Sequence, residues 1–429
     1  MEILIKSDII FLSGFFWRKQ EMKKCEKTNK RFIDEIMLDR IKIAGISMKV
    51  VDVAFVICIF ILAFLIRTKL FPIQSADYYG FLEKWMQSIR DGGGMSALAG
   101  DFYNYTPPYM YLMVLISKIT TNDLYGLKMI SVIFDYLGAI AVLKILYHMT
   151  GNVRKSIIGM SIMLLSPTVI LDSAYWCQCD MIYTTFLLYS FYYFLKEDSL
   201  KSALFFAFSF AFKLQSVFLL PFFIIMWLKK KTILLRHYLI VPVVYVIAII
   251  PAFIAGRSFK ELLTIYFSQS SYYPWGTLNY PNVYALLGEV MPETKHAAEV
   301  CGAGTFMTIA MLGCLAYYLY DKKIRLTEEL MVTLALFSVA IIVYSLPHMH
   351  DRYGFLIDLF AIIYGVYRVK KLPVACGFML ISIITFMPYL LGQEVVPLKY
   401  VAIAMLGLIV YVGYDLYGQI QANTLARQD

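Results

Sequence analysis

The chain is built on uninterrupted apolar runs, the first of them VVDVAFVICIFILAFLIRTKL from Val50 to Leu70. About twenty apolar residues is the length a helix needs to cross the hydrocarbon layer of a bilayer. The runs are continuous rather than alternating, which fits helices and not the strands of a membrane barrel. Composition agrees: 60% of residues are hydrophobic, only 16% are charged, and mean hydropathy is +0.67. One water-soluble core cannot hide that excess, because a domain of this size needs a polar skin. Disordered, collagen-like and disulfide-framework classes are excluded on the same ground. The expected fold class is all-α, a polytopic helix bundle integral to a lipid bilayer.

The formal net charge of +9 reads as basic cytoplasmic loops rather than as nucleic-acid binding. The seven cysteines form no paired framework, and Cys177 and Cys179 lack the second pair a zinc site needs. They read as packing residues. The short apolar stretch Ile9 to Trp17 has no cleavage site after it and is not read as a signal. Residues 1–49 form a basic segment expected to stay cytoplasmic, in which Met22, Met37 and Met48 are alternative starts.

After Val50–Leu70, eleven further spans are expected: 126–149, 156–171, 181–195, 200–212, 214–228, 238–255, 303–320, 329–346, 353–367, 372–391 and 400–417. That makes 12 spans in residues 50–429. Arg67 and Lys69 lie in the last turn of the first span, where long side chains can snorkel to the surface. The 13-residue run Pro107 to Ile119 is read as interfacial. With that count, the Lys- and Arg-rich loops near residues 154, 196, 230, 322 and 370 share a side with the basic N-terminus. Residues 71–106, 172–180, 257–302 and 347–352 then lie outside, and chemistry is expected there.

Asp77 stands just beyond the first span, with Tyr78, Phe81 and Trp85 at a helical spacing that suits a helix on the headgroup layer. It is read either as a general base or as a helix cap. Asp101 is its rival in the same loop. The segment HMHDRY carries His348, His350, Asp351 and Arg352. A fork-shaped guanidinium and two imidazoles suit a phosphate, a metal is the competing ligand, and an interfacial polar turn is the plain reading. Asp172 and Asp180 flank the turn around Trp176 and suit an acceptor hydroxyl or a cation. Lys213 interrupts apolar sequence in FKLQ and is expected to face a cavity or an anion, or else to snorkel. Asp135 and Asp358 raise the same question within spans. The Tyr-, Trp- and Asn-rich stretch around Asn282 suits sugar contacts or an ordinary interfacial loop.

In this order, Asp77 with Trp85, YTPPYMY (105–111), WCQCD (176–180), FKLQ (212–215), LNYPNVYALLG (278–288) and HMHDRY (348–353) resemble the membrane glycosyltransferases of the GT-C superfamily. The likeness is nearest to dolichyl-phosphate-glucose-dependent glucosyltransferases and to bacterial relatives of glycolipid-anchor mannosyltransferases. It covers roughly residues 50–370. The resemblance implies a GT-C-like module in residues 50–256, C-terminal helices in 257–429, and membrane-parallel helices in a large first outer loop. It implies transfer, with inversion, of a monosaccharide from a polyprenyl-phosphate donor to a hydroxyl of a glycan or glycolipid acceptor at the outer face of a bacterial plasma membrane. Asp77 then matches the base, and Lys213, His348, His350 and Arg352 match the phosphate-binding set. Tyr105, Trp176, Gln178, Asp180, Gln215 and Asn282 match the substrate-lining set. Relatives carry Gly and Ser at the positions of Cys177 and Cys179. No cofactor is expected, and a divalent metal is left open. The alternatives are a transporter or flippase of a lipid-linked sugar, and a polymerase or ligase of surface glycans.

Overall fold

The computed structural model describes residues 35–43, 45–230, 234–270, 275–288 and 296–424. The stretch Ile9 to Trp17, the basic residues before position 35, Cys25 and Lys231 lie outside them. The chain divides into two compact units, residues 1–62 and 63–429. In the first unit, strands β1 (Arg40–Ile43) and β2 (Ile46–Lys49) pair antiparallel, with Gly45 at φ +86 in the turn. A residue with a β-carbon is strained at that φ. Helix α1 (Val50–Leu70) begins there and ends in the second unit.

The second unit continues with a π turn (Tyr78–Leu82) running into α2 (Glu83–Asp91), then α3 (Pro107–Ile119), α4 (Asp123–Thr150), α5 (Val153–Leu164) and α6 (Pro167–Ile170). Next come α7 (Asp180–Leu195), α8 (Ser199–Phe212), α9 (Leu220–Lys229), α10 (Ile240–Ala255) and α11 (Phe259–Ser270). The last are α12 (Ala297–Asp321), α13 (Glu328–Ser345), α14 (Phe355–Tyr367), α15 (Leu372–Leu391) and α16 (Leu398–Asn423). Two short strands, β3 (Thr277–Leu278) and β4 (Met349–His350), pair in parallel.

The described fold is helical. Among the described residues, seven helices have the length and hydropathy to cross a membrane, and the bent pair Val153–Leu164 with Pro167–Tyr175 makes an eighth. That pair bends by 47°, because Pro167 removes a helix hydrogen bond and biases Ser166 out of helical geometry. The other four segments expected to span are shorter: α7, α8 and α14 have 16, 14 and 13 residues, and the segment expected at 214–228 is a 3-10 turn (Leu214–Leu219) running into the 10-residue α9. At 1.5 Å per residue, 16 residues reach only about 24 Å. Helices α7, α13 and α14 are buried along most of their length, whereas α10, α12 and α16 expose Ile254, Phe306 and Tyr414. Gly138 sets the α4–α7 approach, since a β-carbon there would meet the Met181 methyl at 1.8 Å. Small residues commonly allow such close approach of helices.

Arg67 does not snorkel. It is fully buried, its Nε 2.8 Å from Asp135 Oδ2, with Nη1 and Nη2 donating to the carbonyls of Ala63 and Leu164. Ser173 adds a 2.6 Å bond to Asp135. A paired and hydrogen-bonded charge is tolerable inside, where an isolated one is not.

The first long loop also differs from expectation. Tyr78, Leu82, Trp85, Met86 and Ile89 form one buried face, in a core shared with Tyr109, Met110, Met113 and Val114 of α3. Tyr78 and Trp85 thus pack on protein, and of the three expected surface aromatics only Phe81 is exposed. Each fully buried large apolar side chain contributes about 1.5–3 kcal/mol. Behind the loop carrying β4, residues 275–285 act as a brace. His348 N donates to Gly276 O, and Asp351 N to Leu278 O. Asn279 Nδ2 ties the brace to Thr385 O.

Candidate functional site

A cavity of about 510 Å³ lies in the second unit, where the first long loop, the 176–180 turn, the FKLQ break and the loop after α13 converge. Asp77, Lys213, His350 and Arg352 line it, together with Tyr105, Trp176, Gln178 and Gln215. These residues are far apart in sequence and meet only in the fold.

Asp77 is not a helix cap, for its side chain makes no capping bond. Oδ2 accepts from Trp176 Nε1 at 2.9 Å and from Gln178 Nε2, and Oδ1 accepts from the Tyr389 hydroxyl. A carboxylate oxygen has two acceptor positions, so among the described residues Oδ2 is filled and Oδ1 keeps one. The Tyr389 ring stacks on Trp176 at 4.5 Å. Asp101 lies elsewhere, exposed and ion-paired to Arg257 at 3.0 Å.

Asp180 sits beneath the cavity at 2% exposure. Its Oδ1 pairs with Lys213 Nζ and its Oδ2 with Arg352 Nη1 at 2.8 Å. Arg352 Nη1 also donates to Gln178 Oε1 at 2.6 Å. Arginine only donates and a carboxylate only accepts, so Gln178 must turn its oxygen to Arg352 and its nitrogen to Asp77. With Nη1 fixed, the other edge of the guanidinium is presented to the cavity wall. Nη2 lies 3.8 Å from Asp77, and Nε lies 3.7 Å from Asp351. Neither distance is a hydrogen bond, and Nε is a buried donor without a partner among the described residues. The Arg352 guanidinium lies 5.0 Å from the Trp176 ring centroid.

Lys213 is held by a break in the helix. Its backbone is extended, at φ −155 and ψ 137, between α8 and a 3-10 turn. Neighbours take up the carbonyls near the break: Thr106 Oγ1 donates to Phe212 O, and the Tyr266 hydroxyl donates to Phe210 O. Broken helices are tolerated at membrane depth under that condition. The ammonium lies 5.6 Å and 5.8 Å from the Tyr105 and Tyr183 ring centroids.

The loop after α13 carries two groups whose titration is displaced in opposite senses. Burial, reinforced by Arg352 and Lys213, lowers the pKa of His350 to about 3. Burial raises that of Asp351 to about 7, with Arg352 opposing and Asp77 adding to the rise. Near neutral pH, His350 is an uncharged ring and Asp351 is partly protonated.

Three expected site residues do not line the cavity. Asn282 is fully buried, accepts from the amides of Tyr284 and Ala285, and donates to Gly276 O and Leu346 O. It caps a short turn in the brace. His348 stands at φ +63 with Nδ1 2.6 Å from Trp275 O, so it also belongs to the brace. Asp180 is the counter-ion under the floor. Of the lining residues outside the expected set, two matter most for the chemistry, Tyr389 and Asp351. Tyr389 is one of 33 tyrosines and carries no local signal. Asp351 was visible in HMHDRY, beside the cluster that drew attention. Among the described residues, no group of three or more His, Cys, Asp or Glu could hold a metal ion.

A scan against protein-family models finds no match, and a search of curated proteins finds no significant relative. The functional reading rests on the residues. Chemically, the wall sets Asp77 against two cations, and the Nε–Nη2 edge of Arg352 makes no hydrogen bond among the described residues.

Proposed function

We propose that the chain is a multi-pass inverting glycosyltransferase of the GT-C kind, moving a monosaccharide from a polyprenyl-phosphate donor to an acceptor hydroxyl. In this reading all twelve apolar segments cross, the shorter ones as interior helices lined by protein instead of lipid. The cavity opens to the outer side of a bacterial plasma membrane. The observation that carries the proposal is Arg352: Nη1 is locked by Asp180 and Gln178, while the Nε–Nη2 edge makes no hydrogen bond among the described residues. That edge matches two phosphate oxygens.

Asp77 takes the proton of the acceptor hydroxyl on Oδ1. The acceptor oxygen attacks the anomeric carbon from the face opposite the phosphate. The carbon–oxygen bond to phosphate breaks, and its electron pair leaves with polyprenyl phosphate. Arg352 and Lys213 stabilise the charge growing there, already oriented before reaction. Tyr389, Trp176 and Gln178 aim the carboxylate.

Purified protein in detergent, given a polyprenyl-phosphate sugar and a hydroxyl acceptor, should release polyprenyl phosphate and form the glycoside without any vesicle. The helix break at Lys213 and the 47° bend favour a second reading, a transporter of lipid-linked sugar. Movement of the lipid across vesicles, with no transfer in detergent, would support it instead.

A further inference from the structure

Two carboxylates flank the free edge of Arg352, Asp77 beyond Nη2 and Asp351 beyond Nε. They are held differently. Asp77 is clamped by Trp176, Gln178 and Tyr389. Asp351 lines the same cavity; its carboxyl accepts from the backbone amide of Arg352 and lies 3.7 Å from Arg352 Nε, but no side-chain donor hydrogen-bonds it among the described residues. Its backbone, by contrast, is fixed from both sides: its amide donates to Leu278 O, and its carbonyl accepts from Thr385 Oγ1. A rigidly mounted carboxyl group that faces a cavity without a side-chain donor is suited to a ligand that brings its own donors. Nearby, Asn104 Oδ1 and Gln215 Oε1 also lack partners among the described residues. The orphan groups are mostly acceptors, which fits hydroxyl groups better than further anions.

If phosphate occupies the Nε–Nη2 edge, the atoms beside it are the anomeric carbon and its neighbours. Asp77 then faces the incoming acceptor. We propose that Asp351 reads the sugar, its carboxyl accepting a hydrogen bond from the hydroxyl on the ring carbon next to the anomeric centre. Asp351 is thus a specificity residue, and Asp77 a catalytic one. The assignment rests on the glycosyl-transfer reading above. The raised pKa of Asp351 is compatible with it, since a partly protonated carboxyl sits beside a phosphate with less repulsion.

The test pairs a ligand change with a side-chain change, using the full chain in detergent. The sugar donors are polyprenyl-phosphate glucose, polyprenyl-phosphate mannose and the 2-deoxy hexose donor related to both. Wild type should prefer its hydroxylated substrate over the 2-deoxy donor by about 10-fold in kcat/KM, the worth of one hydrogen bond. In Asp351→Ala that preference should shrink to within about threefold, and Asp351→Asn should restore part of it. Polyprenyl phosphate without sugar should raise the melting temperature of wild type and both variants equally, which shows that the phosphate site and the fold are intact. Unchanged discrimination in Asp351→Ala would overturn the assignment. So would loss of stabilisation by sugar-free polyprenyl phosphate, which would place Asp351 in the support of Arg352. If no polyprenyl-phosphate sugar is bound or consumed by wild type, the glycosyl-transfer reading itself falls.

Discussion

Helices α13, α14 and α15 each run between two charged clusters. At one end, Glu329 accepts from Arg368 and Lys371, and Lys371 also reaches Asp415 at 2.7 Å. Tyr364 and Gln419 complete Asp415 at 2.8 Å each. Two acids meet two bases there, and every charged group has a close partner. At the other end lie Asp180, Lys213, Arg352, Asp77 and Asp351 around the cavity, and the Nε–Nη2 edge of Arg352 is left without a hydrogen bond among the described residues. The residue types are the same, but the degree of closure differs. Closely paired charges rigidify a fold, whereas an orphaned buried donor is costly unless something else occupies it.

The sharpest way to break this contrast is Asp77→Asn. It keeps the shape and removes the basic oxygen, so sugar transfer should fall by about 10²–10⁴-fold while the sugar donor still binds. Asp101→Asn should transfer near normally. A larger loss at Asp101 than at Asp77 in a turnover assay would reverse the roles.

Next in size is Arg352→Lys, which keeps the charge but loses the fork. Affinity for polyprenyl phosphate should fall by about tenfold or more, read by thermal stabilisation. At the closed cluster, Arg368→Ala should leave that affinity unchanged and cost at most about 1 kcal/mol, because Arg368 is largely exposed. Equal effects on affinity would erase the distinction between the two ends.

Tyr389→Phe is a smaller step. It removes one donor to Asp77 while keeping the ring on Trp176, and turnover should drop by about 3–10-fold, the net worth of one hydrogen bond. An unchanged rate would mean that Trp176 and Gln178 aim Asp77 unaided.

The finest effect is a pair of opposed pH slopes. Between pH 3.8 and about 7 the folded chain holds a proton on Asp351 that the unfolded chain has lost, so this group's contribution to stability falls as pH rises. Between about 3 and 6.5 the unfolded chain holds a proton on His350 that the folded chain lacks, so that contribution rises with pH. The two largely cancel where they overlap. Asp351→Asn should therefore expose a rising melting temperature from pH 4 to 6.5, and His350→Gln a falling one. Parallel profiles in both variants would contradict the assigned directions.

Much of the helical plan was legible, because the long runs in α1, α4 and α13 announce themselves by length and hydropathy alone. The Lys213 break was legible too, since a lysine amid phenylalanines has few comfortable places. Arg67 was not: snorkelling and pairing look alike until the partner, 68 residues away, is seen. Asn282 misled for a related reason. An asparagine in a polar, aromatic loop reads the same whether it caps a turn or meets a sugar. Spans were over-read as uniform, since sequence shows an apolar run but not whether lipid or protein surrounds it.

The Arg67–Asp135 pair has a consequence for biogenesis. Asp135 lies mid-helix in α4, where a lone carboxylate costs about 2.5–3.5 kcal/mol in lipid. The ribosome makes Arg67 first, so α1 carries an arginine without its counter-ion until α4 is made. Arg67→Leu would suit the lipid better on its own, yet it would strand Asp135. It should therefore slow membrane insertion of α4 more than that of α1, as glycan-tag mapping of nascent chains would reveal.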